Sequence, residues 1–202
     1  MTPTIRPAHS GDIAAIARIY GHAVQYGTAS FELDPPDEAE MARRMAALHD
    51  SGFPYLAAEV DGRVAGYAYA GLFRTRPAYR FTIEDSIYIA PDMQGRGIGR
   101  ALLGRLLAES AARGFRQMIA VIADPPRQQA SIRLHTAAGF ARIGTLSNVG
   151  YKFGAWLDNI YMQRALGDGA GGEAPLTTAN AARSEKMLTT TNTAGTIKSE
   201  NI

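Results

Sequence analysis

The run Gln94-Gly95-Arg96-Gly97-Ile98-Gly99-Arg100 has the residue types and spacing that most directly suggest chemistry. Its glycines leave successive backbone N–H groups uncovered, so that several can converge on one anion. Arg96 and Arg100 add fixed positive charge, and a helix starting here would add free N–H groups and a favourable dipole. Such a loop is either a pyrophosphate cradle or a turn whose glycines serve only close packing. It lacks the Gly-Lys-Ser/Thr ending of a P-loop. Its glycine spacing, with no acidic residue about 20 positions on, also argues against a dinucleotide fingerprint. A second charged run, Phe73-Arg74-Thr75-Arg76-Pro77-Ala78-Tyr79-Arg80, places three arginines among aromatics. It reads as a solvated loop or as the mouth of a site, because it leads straight into the strand before the glycine loop.

These residues need elements to hold them. Residues 82–89 are β-branched and aromatic enough for a half-buried strand, ended by Pro91 and Asp92. Leu102, Leu103, Leu106 and Leu107 recur at helical spacing after the loop, and Gly114 stops that helix. Upstream, Ile5 opens a short strand. Ser10 is placed to cap a helix with Ile13, Ile16, Ala17, Ile19 and Tyr20 on its apolar face. A second helix starts near Asp37, turns Met41, Met45 and Leu48 inward and stops at Gly52. Asp61-Gly62 joins strands at 54–60 and 63–72 as a two-residue hairpin. Downstream, the pattern predicts a strand over 117–123, a helix over about 129–138 and strands near 141–146 and 157–164. An aromatic loop with Tyr151, Phe153 and Trp156 is expected between the last two.

Composition narrows the class. The 202 residues carry a net charge of +2, too small to argue for nucleic acid or a membrane surface as partner. There is no cysteine, hence no disulfide framework, thiolate metal site or cysteine nucleophile, and no other metal site is apparent. No apolar run approaches membrane-spanning length and the start lacks a signal-like segment, so a cytoplasmic location is expected. Residues 167–202 are rich in Gly, Ala, Thr, Asn and Ser and contain no aromatic residue, which predicts a disordered tail after a domain spanning 1–166.

The Gln-x-x-Gly-x-Gly loop between a strand and a long helix resembles the acyl-CoA loop of GNAT N-acetyltransferases. The chain is similar, more narrowly, to the phosphinothricin and methionine sulfone/sulfoximine acetyltransferases. Matching segments include Ile5-Arg6-Pro7-Ala8, Arg76-Pro77-Ala78-Tyr79-Arg80, Ser131-Ile132-Arg133-Leu134-His135 and Gly150-Tyr151-Lys152-Phe153-Gly154. The resemblance covers about residues 4–166. It implies an α+β GNAT fold: a mixed, mostly antiparallel sheet of about six or seven strands, splayed at the acyl-CoA site and flanked by about four helices. It implies acetyl transfer from acetyl-CoA to the primary amine of a small amino-acid-like substrate, by direct attack in a ternary complex, in a homodimer.

Site residues follow from the same resemblance. Glu84 is expected to accept the ammonium proton, directly or through water, or else to be a strand-end acid paired with an arginine. His135 stands where many GNAT enzymes carry a tyrosine thought to protonate the departing thiolate; a structural histidine is the plainer alternative. Backbone groups of Ile87, Tyr88 and Ile89 are the implied ligands of the thioester and pantetheine arm. Residues Gln94, Gly95, Arg96, Gly97, Ile98, Gly99 and Arg100 would take the pyrophosphate. Phe31, Arg74, Tyr79 and Arg80 are the expected substrate contacts, arginine because its planar fork binds carboxylate or phosphinate bidentately. Gln128 occupies the place of an asparagine that contacts CoA in the family, in a loop about one residue longer. Asp85 should point to the opposite face from Glu84 and is not nominated. A peptide or protein acceptor, or a non-catalytic acetyl-CoA sensor, are the alternative functions; the paired acid–base candidates argue against the sensor.

Overall fold

The computed structural model describes residues 2–171, so the tail expected over 167–202 lies outside the described residues from 172 onward. Seven strands form one sheet in the order β1-β2-β3-β4-β5-β7-β6. They are β1 (Thr4–Pro7), β2 (Tyr55–Val60), β3 (Arg63–Leu72), β4 (Thr82–Ile89), β5 (Gln117–Ala123), β6 (Ala141–Lys152) and β7 (Ala155–Ala165). Every neighbouring pair is antiparallel except β4 and β5. Helices α1 (Ile13–Tyr26) and α2 (Glu38–Asp50) cover the sheet face that carries Tyr55, Tyr67, Tyr69 and Tyr88. Those tyrosines stack on one another across three strands, and Tyr20 of α1 meets Tyr88 edge-on. The other face is covered by α3 (Ile98–Ala112), whose Leu102, Leu103 and Leu106 are fully buried, and by α4 (Gln129–Ala137).

The turn chemistry is where the sequence places it. Asp61 and Gly62 both have positive φ, as a type I′ turn requires. Asp37 caps α2 by accepting from the Glu40 N–H at 2.8 Å. The start of α1 differs from expectation. Ser10 does not cap it: a 3-10 turn over Ser10–Asp12 comes first, capped by His9, which accepts from the Gly11 N–H while Asp12 reaches back to the His9 N–H. Asp12 then stands at the N-cap of α1 with no side-chain capping bond. Asp12 is buried because Arg6 holds it bidentately at 2.7 and 2.9 Å.

The last two strands are also longer than the sequence suggested. Strand β6 continues to Lys152 and β7 starts at Ala155, so the expected aromatic loop shrinks to a Phe153-Gly154 turn with both φ values positive. Tyr151 and Trp156 face each other across the ladder rather than sitting in a loop. Gly and Asn in 147–150 lower the strand signal, and a phenylalanine in the left-handed region is uncommon.

Candidate active site

Strands β4 and β5 pair at only three positions, Thr82 with Gln117, Ile83 with Met118 and Glu84 with Ile119. Beyond Glu84 they part. β5 stays registered to β7, and β4 stays registered to β3 as far as Ile89 opposite Gly66. Residues 85–89 of β4 therefore have one paired edge and one that faces the gap. Open backbone groups of this kind are suited to a ligand that hydrogen-bonds as a strand would.

The gap holds a cavity of about 240 Å³ lined by Phe31, Glu84, Asp85, Ser131, His135 and Asn159 among others. Glu84 lies on the α1–α2 face of β4. Burial, with a smaller contribution from the negative charge of Asp85, pushes its carboxyl up to about 7. It has no arginine partner among the described residues, so the alternative of a strand-end ion pair is absent here.

Asp85 points to the other face, as strand alternation demands, and there it meets α4. His135 is 4% exposed, with Nε2 3.0 Å from Asp85 Oδ2 and Nδ1 2.8 Å from the Ser131 carbonyl. The Ser131 carbonyl can only accept, so Nδ1 carries a proton, and the Asp85 carboxyl facing Nε2 favours a proton there as well. Burial works to lower the histidine pKa, but the bond and charge of Asp85, helped by Ser131, hold it above its ordinary value. Asp85 Oδ1 and Asn159 Oδ1 are buried beside the cavity with no hydrogen-bond partner. Carboxylates and open acceptors together favour a ligand rich in N–H donors, such as an amine.

A second cavity of about 490 Å³ continues from the first through Ile87, Tyr88, Gln128 and Ser131. Ile89, Gln94, Gly95, Gly97, Ile98, Gly99 and Arg100 also line it, whereas Arg96 is exposed on the loop outside the lining. Gly95 and Gly97 take φ of 75° and 78°, and Gly97 caps α3 with no side chain occupying the helix N–H groups. No carboxylate pairs with Arg96 or Arg100 among the described residues. These features fit acetyl-CoA: an anion cradle at one end, an unpaired strand edge at the other and a groove between.

The remaining predicted residues divide. Phe31 lines the first cavity, but Arg74, Tyr79 and Arg80 line neither. Arg74 stacks over Phe73 and Tyr79, and Arg80 over Phe81 at 4.5 Å, in the segment that feeds β4. Sequence reasoning missed Asp85, Ser131 and Asn159 as site residues. Ser131 precedes His135 by one helical turn, a spacing that places its carbonyl within reach of the ring; nothing in the local sequence marks Asn159.

The Acetyltransferase (GNAT) family model matches residues 16–140. Phosphinothricin N-acetyltransferase of Alcaligenes faecalis is 51% identical over 166 residues, 82% of this chain and 84% of the relative. L-methionine sulfoximine/L-methionine sulfone acetyltransferase of Salmonella typhimurium is 40% identical, over 85% of this chain and 99% of the relative. Among solved structures, a phosphinothricin acetyltransferase from Sinorhizobium meliloti in complex with AcCoA superposes with a TM-score of 0.84. It is 47% identical, and the match covers 87% of this chain and 95% of that one.

Proposed function

The chain belongs to the GNAT acetyltransferase family, and from that premise we propose that Glu84 and the Asp85–His135 pair serve acetylation of a small amino-acid-like amine. The enzyme is an acetyl-CoA-dependent N-acetyltransferase. Bound in the continuous groove, acetyl-CoA supplies an activated thioester at the splay. The observation that carries the reading is the position of Glu84, a carboxylate with a pKa near neutrality at the point where β4 and β5 separate.

Glu84 takes the ammonium proton of the acceptor, directly or through one water, leaving a neutral amine to attack. Backbone groups of residues 87–89 hold and orient the acyl donor, and residues 94–100 hold its pyrophosphate. His135 keeps positive charge against the cavity wall; to act as proton donor to the thiolate, its Nε2 proton must leave the bond to Asp85. Arg74 and Arg80 lie outside both cavities on the segment that feeds β4, held by aromatic stacking with no carboxylate partner among the described residues. With Tyr79 beside them, they are proposed to meet the acidic end of the acceptor where it extends beyond the first cavity. The phosphinothricin and methionine sulfoximine/sulfone activities of relatives at 40–51% identity support an acceptor with a tetrahedral polar side-chain end.

We further propose a cytoplasmic homodimer. The β6–β7 hairpin leaves Ile143, Leu146, Val149, Tyr151, Phe153 and Trp156 exposed, an apolar surface that a second copy would cover.

Thiol release from acetyl-CoA by the purified protein tests the function, with phosphinothricin, methionine sulfoximine, methionine sulfone and a peptide amine as separate acceptors. Release with a small acceptor and its loss in Glu84→Gln is the expected result. Release with the peptide alone overturns the acceptor assignment.

A further inference from the structure

The segment linking α1 to α2 has no regular structure through residues 27–37, yet residues 30–32 are tied from three elements. From α1, the Tyr20 hydroxyl lies 2.9 Å from Ser30 Oγ and donates to Glu32 Oε1 at 3.0 Å. From α2, Arg44 donates to the same carboxylate at 2.6 Å. From the far end of the chain, the Lys152 ammonium donates to the Ser30 carbonyl at 2.7 Å. Lys152 is 3% exposed and has no carboxylate within salt-bridge distance among the described residues. A buried ammonium satisfied by one carbonyl costs more than methionine would in the same space. Its other neighbour is the Phe153 ring, 5.1 Å from Nζ, so the bond to Ser30 is its one hydrogen bond among the described residues and ties β6 to the residue before Phe31.

Phe31 lies between these ties. Its ring rests against the backbone of Gly150, so closely that a Cβ at Gly150 would stand 2.2 Å from Phe31 Cε2. The same ring lines the cavity that holds Glu84. Gly150 and Lys152 alternate inward on β6 while Tyr151 and Phe153 point out. One strand thus supplies both the seat for the ring and the anchor for the residue before it.

We infer that Gly150 and Lys152 are positioning residues for acceptor specificity, seating Phe31 as a fixed wall of the cavity and so limiting the size of side chain admitted. This rests on the function proposed above. A looser wall admits longer side chains and holds the small acceptor less well; it leaves the acyl-CoA groove alone, because neither residue lines that groove.

A double-mutant cycle on full-length protein tests it, run with whichever amine the wild type acetylates, so that the acceptor assignment and this inference fail separately. Gly150→Ala is expected to raise the acceptor KM about tenfold, with the acetyl-CoA Kd by calorimetry within about twofold. In a Phe31→Ala background the same Gly150→Ala change should cost little in either acceptor KM or Tm, because the ring it displaces is gone. Lys152→Met, which keeps the bulk, should raise the acceptor KM and widen the range of side chains accepted. An unchanged acceptor KM in Lys152→Met, or an equal Gly150→Ala penalty with and without the Phe31 ring, overturns the inference. Should Gly150→Ala fail to fold, the Lys152→Met result decides alone.

Discussion

Glu84 and Asp85 are neighbours in sequence with opposite environments, and each makes a prediction. Glu84 must be ionised to accept a proton, and burial holds its pKa near 7. Accordingly kcat/KM should fall as pH drops below about 7, and Glu84→Gln should lose this limb along with most of the rate. The stability effect has the opposite sense. A carboxyl whose folded pKa is raised favours the protonated form, so stability is lost as pH rises from about 4.5 to about 7. Calorimetry should therefore find that Glu84→Gln raises Tm more at pH 8 than at pH 5. Asp85 holds His135, and Asp85→Asn should lower the imidazole pKa, followed by NMR titration, and reduce kcat more than either KM. An unchanged His135 titration in that variant would remove Asp85 from the site. The alternation of the strand correctly sent Asp85 away from Glu84. Nothing in the strand's own pattern signals a partner on the far face, since His135 lies 50 residues on and meets Asp85 only when α4 packs beside β4.

Glycine positions in the acyl-CoA loop were legible because the need for them is local. Gly97 combines positive φ with open space where a Cβ would go, so an added methyl strains the backbone without a clash. Gly97→Ala should cost about 1–2 kcal/mol, a Tm drop of roughly 2–8 °C at this size. It should raise the acetyl-CoA KM more than the acceptor KM, because Gly97 caps the helix proposed to hold the pyrophosphate. Equal effects on both would mean that the loop does not read the donor separately. Element ends were less legible. The β6–β7 hairpin closes through Phe153, a residue that rarely favours the left-handed region, and only the cross-strand pairing of Tyr151 with Trp156 shows that both belong to strands.

At the scale of the whole molecule, the exposed hairpin sets the assembly prediction. Trp156 is 63% exposed beside Tyr151 at 58%, on an otherwise open sheet end. Light scattering should find a dimer for the wild type, and Trp156→Glu should shift it toward monomer with little change in far-UV circular dichroism. A wild-type monomer at micromolar concentration would remove the homodimer.

The sequence by itself determined the family, the strand–loop–helix around residues 82–107 and the turn glycines, and it singled out Glu84 and His135 as candidates. Each is a matter of local composition or of motifs that survive as contiguous text. Only the tertiary structure decided that β4 and β5 separate after Glu84, that Asp85 charges His135, and that Lys152 and Gly150 seat Phe31. It also left Arg74, Tyr79 and Arg80 outside both cavities. The Asp85–His135 and Ser30–Lys152 bonds join residues 50 and 122 apart, and nothing in a one-dimensional pattern specifies which buried side chain will find which distant partner.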